Sequence, residues 1–454
     1  MPTSNNKINV TLTDMQEKRR QVAPGASVIL KIGDTVVDPI NISLLVVREW
    51  SLDHSKIPRL ELIVEDDGGL TDWDFPYHGR KIEVSIIKDK TEGVILTPGN
   101  SLEGVFKVVD MSFTKTVKGQ SGETFKVFIT ALLDIPDLLD TAPNMAYEKK
   151  TSLDVLKAVA SELGLTFATN IINTNDAMTW IKVNTSQFAF IQDVTTRSFI
   201  TATDATFSFI NKDYELKYVS IAEALKAVPK PCIHFPEMAH EVSINQIKDT
   251  AVKFGYTEQE ATQTVWYSSF AFKNMANSTE IVNKGSESTV KVLDLLTGNY
   301  SLSTGSLMTE SLQVLTDTVI DNHSTLISSK VDPNKDALTR KNIIYSGILP
   351  GTRTTTDNVY GDDYYSAKTK RNNLISGLIG VPTTIEVNAN IDVVTFDTLD
   401  FKAPVTVATD SYESNEILDG IYIVLGIIYV LDNGVFKKLL NIHKLGFGTN
   451  PNKK

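Results

Sequence analysis

Residues that could bind a metal ion come together at one place in this chain of 454 residues. Cys232, His234 and His240 are near neighbours in sequence. A closed zinc site needs four ligands at characteristic spacings, and this set fits no common pattern. The sequence therefore predicts a buried thiol and two ordinary histidines, with no bound metal and no cofactor.

Two pairs of adjacent carboxylates, Asp66-Asp67 and Asp362-Asp363, could supply the acid and base of glycan hydrolysis. Both pairs stand in turn-like surroundings, which favours ordinary loop residues, and a glycan-degrading enzyme stays an alternative. The sequence holds no phosphate-binding P-loop, strand-linked GxGxxG, HExxH, CxxC or nucleophile elbow. We therefore predict no catalytic residue and no enzyme activity.

The charge balance argues against one class of partner, the grooves of DNA. A formal net charge of -11 argues against a protein that reads DNA grooves, because phosphate binding needs clustered Lys and Arg. The short basic runs, 18–20 and 368–371, are either solvated surface or contacts to an acidic subunit. One cysteine excludes an internal disulfide, and the polar N-terminus has no signal-peptide pattern, which fits assembly in a reducing cytoplasm.

The most apolar stretch, residues 417–448, is predicted to form strands rather than a helix. Its unbroken apolar run, 421–431, is far shorter than the roughly 20 residues of a membrane-spanning helix. It is rich in Ile, Val and Tyr, and Asp432-Asn433-Gly434 is a turn signal followed by a second apolar run. This pattern predicts a β-hairpin whose first strand is buried on both faces, at the centre of a barrel or sandwich, and no membrane span.

Residues 1–145 are predicted to form a first tube-like β-barrel domain. Apolar residues alternate in RLELIVE, KIEVSII and FKVFITA, with little helix between these strands. A turn at 118–122 joins the last of them to the preceding DMSFTKTV.

Residues 146–228 are predicted to form an α+β insertion domain. In TSLDVLKAVASELGL the apolar residues share one helical face, Thr151 with Asp154 predicts a capping box, and Gly164 predicts the helix end. A second helix is predicted in NTSQFAFIQDVTTRSF, and a hairpin in DATFSFI, NKD and YELKYVS.

The rest of the chain is predicted to form a discontinuous second barrel. Its early strands fall in 229–270, where EVSINQI and DTAVKFGY are interpreted as β, and its late strands in 380–448. Residues 271–379 are an outer insertion with one predicted helix around 308–319, and residues 449–454 are a polar tail. The fold class is thus mainly β, with two tube-type barrels, the second interrupted, an α+β insertion and peripheral domains. Trp50, Trp73, Trp180 and Trp266 are interpreted as core or interface anchors.

Three segments in order resemble the insertion module of phage tail hub proteins: TSLDVLKAVASELGL, MTWIKVNTSQFAFIQDVTTRSF and DATFSFINKDYELKYV. The end of the chain, DGIYIVLGIIYVLDNGVFKKLLNIHKLGFG, resembles the closing hairpin of the same family. The resemblance covers about half of the chain by order and pattern, and 271–379 matches nothing in it.

The resemblance implies a structural baseplate hub of a contractile-tailed phage, located in the virion. It implies a homotrimer whose ring of six barrels joins the sixfold tail tube protein to a threefold central spike protein, beside other baseplate proteins. DNA would pass through the lumen without specific binding; the net acidity suits such a conduit, or is ordinary solubility charge. A hub or spike component of a type VI-like injection machine and a tail-associated glycan-degrading enzyme are the alternatives.

Overall fold

A computed structural model of the chain describes residues 26–49, 56–66, 78–88, 102–117, 123–201, 204–234, 244–272, 286–293, 300–306, 338–344, 381–387, 391–403, 418–432 and 435–444. The predicted turn at 118–122, the predicted helix at 308–319, Trp50, Trp73 and the polar tail lie outside the described residues, as do both basic runs.

The first β unit is a curled sheet of seven strands in the order β2-β1-β5-β6-β7-β4-β3. Alternate residues such as Leu60, Leu62 and Val64 are buried, so one face of each strand points to the core, as their alternation in sequence predicts. A short 3-10 helix, Pro39–Asn41, links β2 to β3. The strands are β1 Ala26–Ile32, β2 Thr35–Val37, β3 Ile42–Arg48, β4 Arg59–Asp66, β5 Lys81–Lys88, β6 Leu102–Val117 and β7 Glu123–Leu133.

The insertion module follows, with a two-stranded ribbon (β8, β10), a three-stranded sheet (β11-β12-β9) and three helices. The predicted hairpin of DATFSFI and YELKYVS is the antiparallel pair β11–β12. The elements are β8 Met145–Lys150, α1 Ser152–Glu162, β9 Thr166–Thr169, β10 Met178–Lys182, α2 Gln187–Arg197, β11 Thr206–Ile210, β12 Glu215–Ser220 and α3 Ile221–Leu225.

Helix α1 begins and ends where local chemistry requires. The Thr151 hydroxyl accepts from Asp154 N at 3.2 Å and the Asp154 carboxylate accepts from Thr151 N at 3.4 Å, so the predicted capping box is confirmed. Gly164 has φ +67, the left-handed backbone that ends a helix most easily at glycine.

Six strands close into a barrel, in the cyclic order β13-β14-β18-β21-β20-β19, because β19 also pairs with β20. Its wall is assembled from two distant parts of the chain. These strands are β13 Lys230–His234, β14 Val265–Phe272, β18 Val381–Val387, β19 Thr398–Phe401, β20 Gly420–Asp432 and β21 Val435–Lys444. The predicted fold class is confirmed: the chain is mainly β, with an α+β insertion and a barrel interrupted in sequence.

The interpretation of EVSINQI and DTAVKFGY as strands is wrong over the described residues 244–256. Helix α4 Ile244–Lys253 lies there, and together with the one-turn helix α5 Glu258–Ala261 it stands between β13 and its parallel neighbour β14. A parallel pair cannot be joined by a tight turn and needs such a crossover. The spacing of Ile244, Ile247 and Ala251 is also that of one helical face, a signal that the alternation argument missed.

Strands β15 Ser286–Leu293, β16 Tyr300–Ser306 and β17 Leu338–Ile344 form a separate three-stranded sheet inside the sequence interruption of the barrel. The domain division of the chain stays a prediction.

Within the apolar stretch, residues 420–432 and 435–444 form the hairpin β20–β21, as the content of Ile, Val and Tyr predicts. Every residue from Tyr422 to Leu431 is buried, which confirms the prediction that both faces of this strand are covered. None of the helices in the described part of the chain is long and apolar enough to cross a bilayer.

Candidate functional site

The two β units are joined edge to edge by a strand that both use. The first half of β20 pairs with β19 and closes the barrel, whereas residues 428–432 pair with β3 of the first β unit. Both halves also pair with β21, with a bulge between Val424 and Gly426. One continuous sheet of thirteen strands therefore runs through both units.

Three charged side chains and one tyrosine lie buried where the two units meet. We call them the junction cluster: Glu49, Lys212, Tyr429 and Lys438. Each is at most 6 % exposed. Glu49 follows β3, and its backbone N–H donates to Ile427 O at 2.8 Å. Its carboxylate accepts from the backbone N–H of Lys212, in the β11–β12 turn, at 3.0 Å.

The barrel contributes a buried ammonium to the junction cluster. Lys438 Nζ donates to the carbonyls of Ile391 at 3.1 Å and Val393 at 2.9 Å, and it lies 5.7 Å from the centre of the Tyr429 ring. Burial raises the pKa of Glu49, although the charges of Lys212 and Lys438 oppose that shift. Burial also lowers the pKa of Lys438 to about 8.

These shifts have a structural consequence. A buried charge that loses its partner costs about 3 to 5 kcal/mol, whereas an exposed ion pair contributes at most about 1 kcal/mol. Removing one partner while the other stays buried is therefore the costly change, so the junction cluster favours the placement of the insertion module, the first β unit and the barrel in which each buried charge keeps its partners.

A second feature is the outer part of β6, residues 110–117, which we call the β6 arm. Residues 102–107 of β6 pair with β5, whereas the β6 arm pairs with β7. The β6 arm carries Phe113, which is 51 % exposed and packs edge-to-face on Phe125 at 6.2 Å. At about 3.3 Å per residue the β6 arm spans roughly 26 Å.

The predicted metal-like residues do not form a site in the described residues. Cys232 and His234 lie on β13, and His240 is outside the described residues. Cys232 is fully buried, and that burial raises its thiol pKa well above the ordinary value, which makes it unreactive. His234 Nε2 lies 3.2 Å from Ser268 O instead. The residues that the structure describes contain no His, Cys, Asp and Glu group able to hold a metal ion.

The carboxylate pairs are only partly described. Asp66 is buried at the end of β4, whereas Asp67 and the pair Asp362-Asp363 lie outside the described residues. Trp180 is fully buried and donates from Nε1 to Lys150 O at 2.8 Å, so its interpretation as a core anchor is confirmed.

Sequence reasoning missed the junction cluster. A signal was present: Lys438 interrupts the apolar run of β21, and Glu49 follows the apolar run of β3. Charged residues at buried strand positions are rare unless they have partners. Nothing in the sequence said that these two positions, far apart in the chain, come close enough for their charges to interact.

No protein-family model matches the chain, and no curated protein matches it. Among solved structures, the 43 kDa tail protein of prophage MuSo2 from Shewanella oneidensis is 9% identical, with a TM-score of 0.50 over 92% of this chain and 98% of that chain. The tail protein from Neisseria meningitidis MC58 is 11% identical, with a TM-score of 0.49 over 93% and 97%. A component of the type VI secretion system from E. coli is 7% identical, with a TM-score of 0.41 over 93% and 79%.

At this level of identity the prophage MuSo2 protein establishes the fold alone: this chain has the fold of a phage tail protein along nearly its whole length. The resemblance stated from the sequence motifs is confirmed at that level.

Proposed function

We propose that this chain is a structural hub of a contractile phage-tail baseplate. In this role three copies form a ring of six β units, which joins a sixfold tail tube to a threefold spike. The chain acts by surface complementarity and not by catalysis, with the tail tube protein, the central spike protein and other baseplate proteins as partners.

The edge-to-edge pairing of the two β units carries this proposal. Each chain holds two β units, joined by β3 and β20. Three chains therefore supply six units, which can match a sixfold tube on one side while the chains keep threefold symmetry on the other. The fold of a phage tail protein supports the same role. In this arrangement the domains are 1–145, 146–228, 229–270 with 380–448, and the outer insertion 271–379.

The β6 arm is the contact we assign to neighbouring chains. Val109, next to the arm, and Phe113 are 37 % and 51 % exposed, and burying such apolar side chains against a neighbouring chain favours association. A ring closed by three copies would bury these side chains in every chain.

The central opening of such a ring would be part of the DNA conduit in the virion, with assembly in the host cytoplasm. The net charge of -11 supports passage without specific binding, because like charges repel the phosphates. Screening limits this effect to about 8 Å at physiological salt, so only residues lining the opening contribute.

The test is the native mass of the full chain by light scattering, together with negative-stain microscopy. The proposal expects a mass near three times 50.1 kDa and ring-shaped particles. A protein that stays monomeric even when mixed with its spike partner would overturn it. Glycan cleavage by the wild-type chain would support the enzymatic alternative instead.

A pair of variants tests the contact surface. Phe113→Glu places a charge on the β6 arm and should abolish the trimer while the far-ultraviolet circular dichroism stays unchanged. Ile172→Glu is the matched control, since Ile172 is 95 % exposed and belongs to the insertion module. Equal trimer fractions in both variants would exclude the β6 arm as the contact.

A further inference from the structure

The turn of the β11–β12 hairpin touches the first β unit at two points. Asn211 Oδ1 accepts from the backbone N–H groups of Asp213 and Glu215, each at 3.0 Å, and this shapes the turn. Lys212 N then reaches Glu49, as described above. The Tyr214 hydroxyl accepts from Val105 N on β6 at 3.1 Å.

The strands behind this turn touch the barrel. Phe207 and Phe209 on β11 pack on Phe396, with ring centres 5.9 and 5.8 Å apart. Phe396 is buried and has φ +76, a backbone conformation that side chains other than glycine adopt only when surrounding contacts hold it. Lys230 pairs with the adjacent Asp397 at 2.7 Å and helps to hold that segment.

One hairpin therefore contacts both β units outside the residue pairs that join them. The join itself is a short ladder of five residue pairs between β3 and β20. The twist between neighbouring strands ranges from roughly 10 to 35°, so a ladder alone leaves the angle between the units loosely defined. A third body that contacts both units outside this ladder, at its end and on β6, removes this freedom.

We propose that the turn Asn211–Tyr214 is a brace that sets the angle between the first β unit and the barrel, with Glu49 and Tyr214 as its positioning residues. The inference rests on the proposed function only for its consequence: a ring closes at three copies only if that angle is fixed. The brace itself is a property of the single chain.

The experiment measures the angle directly as a distance between two spin labels in the full chain. Glu83→Cys on the first β unit and Ala271→Cys on the barrel provide exposed labelling sites, and the native thiol, Cys232, is fully buried. Labelled chains are mixed with an excess of unlabelled chains, so that only distances within one chain contribute. The background with no further substitution should give a single narrow distance distribution.

Two changes remove the side-chain hydrogen bonds that join the turn to the first β unit. Tyr214→Phe deletes the hydroxyl that meets Val105, and Glu49→Leu deletes the acceptor of Lys212 N. Together they should broaden the distribution or shift its mean. Glu49→Gln keeps an acceptor oxygen and should restore the narrow distribution, which a loss of core packing would not explain.

Matched controls carry the same chemical changes elsewhere. Tyr147→Phe removes a hydroxyl that meets only Glu162 within the insertion module, at 2.7 Å, and Glu61→Leu removes a half-exposed carboxylate paired with Arg48. Neither should change the distance. If the Glu49→Leu chain does not fold, Tyr214→Phe alone still tests the brace, and an unchanged distribution in that folded variant overturns it.

The failure of the brace and the failure of the hub are distinguishable. A monomeric wild type ends the hub proposal and leaves the distance measurement valid. If the wild type is trimeric, the brace variants should lose closed rings in microscopy while Tyr147→Phe keeps them. Intact rings in the brace variants would overturn the inference.

Discussion

The insertion module and the junction between the β units bury polar groups in opposite ways. In the module, Asp176 is fully buried and accepts from Ser152 N at 2.9 Å, Thr174 Oγ1 at 2.7 Å and Phe199 N at 2.9 Å. All of these partners belong to the module. At the junction, Glu49 accepts from a residue 163 positions away in sequence, in another module.

The comparison separates two uses of a buried carboxylate. Burial raises the pKa of both groups, so each would be costly without its partners. Asp176 ties a helix N-terminus to the following segments and so serves the fold of one module. Glu49 ties one module to another and so serves their relative placement.

The largest expected effect tests the module side of this comparison. Asp176→Ala leaves two buried N–H groups without their acceptor, so we expect a loss of about 3 to 5 kcal/mol in the free energy of unfolding. Chemical denaturation followed by circular dichroism measures it. Asp193→Ala is the control, because that carboxylate is half exposed; a similar loss in both variants would contradict the role assigned to Asp176.

The second test concerns the barrel side and its pH dependence. Burial lowers the pKa of Lys438 and of Lys444 to about 8, against 10.5 for ordinary lysine. Between these values the unfolded chain holds more protons than the folded one, so stability should rise as pH increases from 8 to 10. Each lysine should contribute roughly 1 to 3 kcal/mol.

Above pH 10 the slope should reverse, because burial raises the pKa of Tyr218 to about 12 and the unfolded phenol ionises first. Urea unfolding at several pH values between 7.5 and 11 measures the profile. Lys438→Met should roughly halve the rise, because Lys444 still contributes, and Lys157→Met, an exposed helix position, should leave it intact. A profile without any rise between pH 8 and 10 would refute the assignment.

A smaller effect is expected at the end of α1. Gly164→Ala puts a Cβ on a left-handed residue and should cost about 1 to 2 kcal/mol, although no neighbouring atom lies within 4 Å of the added carbon. Thermal unfolding of the variant beside Ser161→Ala, an exposed position in α1, measures it. Equal midpoints would mean that the backbone conformation is not what ends the helix.

The smallest effect is expected at the start of the same helix. Thr151→Ala removes the capping hydroxyl and should cost about 1 kcal/mol, because Asp154 N loses its acceptor. Lys157→Ala is the control and should stay within about 0.5 kcal/mol of the wild type. Urea denaturation midpoints of the two variants, compared where the dependence of the free energy on urea concentration is the same, measure the difference. Equal midpoints would contradict a capping role for Thr151.

The difference between the regions also explains how far sequence reasoning reached. Thr151, Asp154 and Gly164 act on neighbours a few positions away, so the ends of α1 could be predicted. The strand interpretation of 244–256 was wrong because short apolar runs suit a helix or a strand, and only the parallel placement of β13 and β14 requires the crossover helix.

The amino-acid sequence by itself determined the alternating strands of the first β unit, where α1 begins and ends, and the hairpin β20–β21, since these depend on side-chain alternation and local hydrogen bonds. Tertiary structure alone decided that β20 serves both units and that the charges of Glu49, Lys212 and Lys438 come close enough to interact. The physical reason is that a buried charge is stabilised by whatever faces it in space, and its position in the chain does not specify that partner.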